Sequence, residues 1–230
     1  MSDVPETREA RQRWRLVVAR DADAPPASQR EIADAWTSAI ETAGLPLART
    51  EGDRPRPRIS FGAPLPAGMA AEGELIDVVL LERWPAWRVR EALADRLPAG
   101  WRIVELVDVW LAGPPLAGRV AAADYRIEIA GSVNATTLAR AANELLDAER
   151  LPRERAKGDA TVTYDLRPLL LDVAVTLGPS LVVTTRTRFH PELGTGRPEE
   201  VLAALGDRIG STLEAASITR ERLLLVEDLE

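Results

Sequence analysis

The stretch WRIVELVDVWLAGPPLAGRVAAADYRIEI, residues 101–129, closes one structural pattern and opens its repeat. Trp101 to Leu111 is rich in branched and apolar residues, a strand-like run. Gly113-Pro114-Pro115 interrupts it, and such clusters mark turns and linkers. Beyond it, Tyr125, Ile127 and Ile129 alternate with Arg126 and Glu128, the period-2 signature of a strand with one buried face. A strand ending before a break and another beginning after it divide the 230-residue chain near its middle.

Upstream of this stretch, Trp14 to Arg20 reads as a strand. Ser28 with Glu31 three residues later is a capping-box signal, and Ile32, Trp36, Ile40 and Ala43 recur at helical spacing up to the stop at Gly44. Arg58–Phe61 and Leu75–Leu81 read as two further strands. Between them and Trp101, Pro85 opens a helix in which Val89, Leu93 and Leu97 share a face, stopped by Pro98 and Gly100. The order is βαββαβ.

Downstream the order recurs. A strand through Tyr125 is followed by a helix over Asn134–Ala148, with Leu138, Ala142, Leu145 and Leu146 on its buried side. Val162, Tyr164 and Leu166 alternate. Leu169–Thr176 and Leu181–Phe189 pair around Gly178-Pro179. Pro198 opens a helix through Val201, Leu202 and Leu205, and Leu223–Val226 is a last strand. With one extra strand, this is again βαββαβ, the ferredoxin-like arrangement. The expected fold is α+β, with two tandem ferredoxin-like domains at residues 1–112 and 113–230.

The composition bounds function. Apolar residues make up 46% and charged residues 28%, as in a globular domain with an ordinary core. No apolar run is long enough to span a bilayer, and the polar N-terminus resembles neither a signal nor a transit peptide. With no cysteine, thiol and iron–sulfur chemistry within the chain are excluded. A cytoplasmic location without membrane contact is expected. The net charge of −7 argues against overall attraction to nucleic acid, and no DNA partner is expected.

Catalytic signatures are absent: there is no GxxxxGK[ST], no GxGxxG after a strand and no HExxH. His190 is the one histidine, so a zinc site lacks ligands and a Ser–His–Asp site would have to use that residue. No catalytic residue, metal site or cofactor is assigned. The remaining signal is arginine. Arg54, Arg56 and Arg58 flank prolines, which keeps the backbone extended and aims alternate side chains to one side. In the strand from Leu181, Arg186, Arg188 and His190 lie on the face opposite Leu181 and Val183. Arg167 ends a strand, and Gly194-Thr195-Gly196-Arg197-Pro198 is a turn into a helix whose N–H groups either face an anion or simply cap a loop. These arginines suit two roles: pairing with carboxylates on solvated faces, or binding phosphate. Of the six tryptophans, Trp14, Trp36, Trp101 and Trp110 read as core, and Trp84 and Trp87 flank a helix start.

The run AGLPLARTEGDRPRPRISFGAPLPAG from Ala43 to Gly68, Asp165-Leu166-Arg167-Pro168, and GTGRPEEVLAALG from Gly194 to Gly206 together resemble the bacterial radical SAM-linked protein family, a domain of unknown function. The resemblance covers roughly Arg13 to Val226. It implies an accessory role beside a radical SAM enzyme, and the family's genomic proximity to a ribonuclease and ribosomal proteins directs attention to RNA or the ribosome. Two family histidines are replaced, at Gln29 in Ser28-Gln29-Arg30-Glu31 and at Arg56 in Asp53-Arg54-Pro55-Arg56-Pro57, which weakens a catalytic role. The expected function is a non-catalytic accessory protein that binds RNA or a ribonucleoprotein through Arg54, Arg56, Arg58, Arg167, Arg186, Arg188 and Arg197. The alternatives are an RNA-processing nuclease, by fold analogy with CRISPR repeat-cutting endonucleases, and a protein–protein adaptor.

Overall fold

Ser28 and Glu31 start the first helix as a reciprocal cap: the Ser28 hydroxyl accepts from the Glu31 N–H, and the Glu31 carboxylate accepts from the Ser28 N–H at 2.7 Å. The computed structural model describes residues 9–157 and 160–230, and among them the class is α+β with four α-helices. The chain divides into two compact units, Met1–Arg119 and Val120–Glu230.

In the first unit the elements run β1 (Gln12–Arg20), α1 (Gln29–Thr42), β2 (Ile59–Phe61), β3 (Ala70–Leu80), α2 (Ala86–Leu93) and β4 (Trp101–Val109). The strands pair antiparallel in the order β4-β1-β3-β2. Leu16 stands opposite both Ile76 and Leu106. Strand alternation then sends Trp14, Leu16 and Val18 to one face, where they pack with Ile32, Trp36 and Ile40 of α1 and Val89 and Leu93 of α2. Trp36 meets Trp101 edge to face at 5.7 Å, a favoured aromatic geometry. The second helix ends at Leu93, a turn short of the expected Leu97. Gly100, at φ 73°, lies so close to Ala24 that a Cβ there would sit 2.4 Å from the Ala24 Cβ.

The opposite face of this sheet carries charge. Asp77, 1% exposed, accepts from Arg13 Nε at 2.9 Å and from Arg15 Nε at 2.8 Å. Arg13 also donates to the carbonyls of Gly113 and Pro114. The Gly113-Pro114-Pro115 stretch, expected as a linker, is thereby fastened to β1.

In the second unit the order is β5 (Val120–Ile129), α3 (Ala135–Asp147), β6 (Pro152–Lys157), β7 (Ala160–Asp165), β8 (Leu170–Leu177), β9 (Leu181–His190), β10 (Gly194–Thr195), α4 (Pro198–Ile209) and β11 (Ala215–Leu225). The pairing is antiparallel, β11-β5-β9-β8, with β10 sharing the β8 edge of β9; β6 and β7 form a separate hairpin. Leu138, Ala142 and Leu145 of α3 and Val201 and Leu205 of α4 pack with Ile127, Val173 and Val183.

The two glycine- and proline-marked turns of this unit lock against each other. Asp165 accepts from the N–H groups of Leu151 at 2.7 Å and Arg167 at 3.0 Å. Burial alone would raise its pKa, but these bonds and the Arg150 charge outweigh it and hold the carboxyl below the usual carboxylate range. Gly196 sits where a Cβ would come within 2.8 Å of the Leu169 carbonyl, and its N–H donates to the Arg188 carbonyl. The Gly194–Pro198 turn therefore closes on β9 and the turn after Asp165. Its glycine serves close packing, and the N–H of Gly196 is not offered to an anion.

Candidate anion-binding sites

Arginine here works mainly as an internal clamp. Arg20, 2% exposed, donates to the carbonyls of Met69, Ala24 and Pro25, fixing the loop between β1 and α1. Arg90 and Arg96 likewise bind carbonyls. Five planar donors make guanidinium well suited to satisfying several carbonyls at once.

Arg167, expected on the anion-binding surface, belongs to this structural group. Its guanidinium donates to the carbonyls of Leu146 at 2.7 Å, Ala148 at 3.1 Å and Leu170 at 2.8 Å. It ties the end of α3, whose last carbonyls lack helical partners, to the start of β8. Arg167→Ala should lower stability by about 2 kcal/mol, because three bonds from a charged donor disappear. Arg167→Lys, with one nitrogen, should not restore it, and urea unfolding measures both.

Arg186 is committed as well. The β5–β9 register sets it opposite Asp124, which it holds through two bonds of 2.6 and 3.1 Å. Arg222 binds the same carboxylate at 2.8 Å. Burial pushes the Asp124 pKa up, but the hydrogen bonds and charges of Arg186 and Arg222 prevail and lower it. A depressed folded-state pKa gives stability that is complete above the unfolded value of about 4 and is lost as pH falls through the folded one. Unfolding followed from about pH 6 downward should therefore show an acid-side loss below about pH 4 that Asp124→Asn reduces.

The other expected arginines are unengaged. The guanidinium groups of Arg54, Arg56, Arg58, Arg188 and Arg197 make no hydrogen bond or ion pair among the described residues. Arg56 and Arg58 stand on a short ribbon. The Thr50 N–H donates to the Arg56 carbonyl, the Arg56 N–H to the Thr50 hydroxyl, and the Arg58 N–H to the Ala48 carbonyl. The ribbon is stitched to β3, since Ala48 and Arg58 both bond to Val79. Arg54 lies in the bend at its tip, so the alternation extends through Arg56 and Arg58 only. All three side chains are exposed. Arg58 also lines a cavity of about 230 Å³ with Ser60, Arg13 and Asp77.

Gln29 and Arg56, the positions of the replaced histidines, have different roles. Gln29 accepts from the Leu65 N–H at 3.0 Å and so holds the Pro64–Pro66 loop to the start of α1, while the Arg56 side chain stays exposed. Trp110 corrects the sequence reading: expected in the core, it is 76% exposed. The last β1–β4 pair ends at Val109 and β4 is the outer strand of its unit's order, so no neighbouring strand covers it. Trp87 is 66% exposed. The exposure of Trp110 could have been suspected from its place beside a Gly-Pro-Pro break.

In the second unit, Arg188 and His190 line a cavity of about 310 Å³ with Phe189, Val226, Leu229 and Glu230. A larger concavity of about 730 Å³ beside α4 is lined by Leu202, Leu213 and Ile218 with Glu199 and Asp207, and has no basic side chain. Among the described residues no group of three or more His, Asp or Glu is placed to hold a metal ion. Among them, no helix is long and apolar enough to cross a membrane.

The sequence profile of the family described as "Uncharacterized protein conserved in bacteria (DUF2344)" matches residues 13–198, a span that includes the ribbon, both locked turns, Arg188 and His190. The chain belongs to this family. No curated protein sequence matches this DUF2344 member. Among solved structures it is similar to a Cbf5-Nop10-Gar1 complex, with 10% identity and a TM-score of 0.49 over 91% of this chain and 48% of that one. It is also similar to an archaeal box H/ACA sRNP Nop10-Cbf5 complex, with 10% identity, a TM-score of 0.45, and 90% and 46% covered. A third is an H/ACA RNP bound to a substrate RNA containing 2′-deoxyuridine, with 11% identity, a TM-score of 0.47, and 90% and 47% covered. The chain spans about half the length of these chains, and likenesses this distant carry no functional argument.

Proposed function

We propose that this chain is an accessory protein that binds RNA through Arg54, Arg56 and Arg58, with Arg197 as a further phosphate contact on the second unit. The observation that carries the reading is the state of these side chains. In a protein that spends arginine on carbonyls and carboxylates, the ribbon gathers three guanidinium groups within five residues that are exposed and unpaired among the described residues. Phosphate is the group such a row fits best, because guanidinium binds it bidentately and remains charged at any physiological pH. Trp87 and Trp110, exposed on the same unit, supply surfaces on which unpaired bases stack.

A cytoplasmic radical SAM enzyme is the proposed protein partner, supported by the resemblance of the three sequence motifs to the radical SAM-linked family. Two ferredoxin-like domains are the proposed architecture, with the division expected near residue 113 moved to the Arg119–Val120 boundary of the two compact units. Its support is the β4-β1-β3-β2 order and the matching β11-β5-β9-β8 order, the first built from a β-α-β-β-α-β succession and the second from the same succession with β6, β7 and β10 added.

The test is affinity capture from native cells with bound RNA and protein both sequenced, before and after nuclease treatment. RNA enriched over background and lost from an Arg54/Arg56/Arg58 charge-reversed chain is the expected result. A second reading, a protein adaptor, is favoured by Val104, which is 50% exposed, in addition to the two exposed tryptophans. It predicts partner capture that nuclease leaves intact and no RNA enrichment.

A further inference from the structure

Strand register explains why Arg188 lacks a partner. Along β9, Arg186 faces Asp124 on β5, but two residues on, Arg188 faces Ala122. Asp124 is already shared by Arg186 and Arg222. Arg188 Nε is nevertheless buried, and has no hydrogen-bond acceptor among the described residues. A buried charged donor without an acceptor is costly, so the position favours an incoming anion.

His190 lies on the same face of β9, two residues along. Its Nδ1 accepts from the N–H groups of Glu192 and Leu193, both at 3.2 Å. In the neutral ring the proton therefore sits on Nε2, which makes this imidazole a donor. The cavity thus combines an unpaired guanidinium, an imidazole N–H and the apolar side chains of Phe189, Val226 and Leu229, with Glu230 as the one carboxylate lining it. Its volume of about 310 Å³ is in the range of small-ligand sites.

We propose that this cavity binds a phosphate monoester, with Arg188 and His190 holding the phosphate oxygens and Phe189, Val226 and Leu229 covering the organic part. A phosphate offers three acceptor oxygens to donors that come from different directions, and the charge answers the unpaired arginine. The proposal is independent of RNA binding by the ribbon, which lies in the other unit.

Because the chain has a single histidine, its imidazole NMR signals report on this cavity without further assignment. Titration of the full chain with inorganic phosphate, uridine 5′-monophosphate and uridine should shift these signals with the first two and leave them unmoved by uridine. Arg188→Gln should weaken the phosphate response at least tenfold while the circular dichroism spectrum stays unchanged. A short RNA with a 5′-phosphate that competes with the mononucleotide, where its 5′-hydroxyl counterpart does not, would make an RNA end the source. Competition by neither would make it a small phosphorylated metabolite, and both outcomes support the site. Absence of a shift with phosphate and mononucleotide at millimolar concentration, or an equal shift in Arg188→Gln, would overturn the proposal.

Discussion

Asp77→Asn should destabilise the protein by about 3–5 kcal/mol, the range for removing one partner from a buried ionic cluster. Asp77 is 1% exposed, and Arg13 and Arg15, at 5% and 9%, converge on its two oxygens. The asparagine keeps the shape and removes the charge, leaving two buried guanidinium groups without a counter-charge. The damage spreads along the chain, because Arg13 also anchors Gly113 and Pro114. Set against a typical total of about 5–15 kcal/mol, this is a large fraction of the stability, and the urea midpoint should fall accordingly. Replacing Asp77, Arg13 and Arg15 together by apolar residues of similar volume should cost much less, since no charge is then stranded. A single Asp77→Asn variant as stable as the parent would refute this account of the sheet face.

Charge reversal of Arg54, Arg56 and Arg58 to glutamate should weaken RNA binding by at least about a hundredfold at low salt, because each lost charge-assisted bond is worth about 1.5–3 kcal/mol. The effect on fold should be small. The three side chains touch no carboxylate, and what holds the ribbon to β3 is backbone bonding through Ala48, Arg58 and Val79. Binding is therefore lost without stability in this variant, whereas Arg167→Ala lowers stability through its three carbonyl bonds.

Local rules were enough for much of the fold. The Ser28–Glu31 cap, the apolar stripe through Ile32, Trp36 and Ile40, and the alternation from Tyr125 to Ile129 are set by near neighbours in sequence. What escaped depends on partners far along the chain. β3 begins at Ala70, well before the apolar run at Leu75, because β1 supplies Arg20 opposite Ala71. β11 begins at Ala215, well before the apolar run at Leu223, and its Arg220 is fully buried. β6, PRERAK, shows no apolar alternation and is a strand because β7 pairs with it. Arg153 itself binds Glu200 and Asp207 of α4.

The candidate sites followed the same division. Alternation along β9 set Arg186 and Arg188 on one face, but only the β5 register shows that one meets an aspartate and the other an alanine. Arg167 was visible as a cation beside a proline. Its three carbonyl partners come from two separate segments, and nothing local announces them.

The central claim is that the Arg54–Arg58 ribbon binds RNA phosphates, and the most direct measurement is the salt dependence of RNA affinity. Fluorescence anisotropy with a labelled single-stranded RNA, from low to moderate salt, gives the slope of log K against log salt for the parent and the Arg54/Arg56/Arg58→Glu variant. Each phosphate contact contributes about 0.7 to that slope on single strands. The account predicts clear binding by the parent and a slope shallower by about 2 in the variant. Equal affinity and equal slope in the two proteins, or no binding by the parent at low salt, would contradict it.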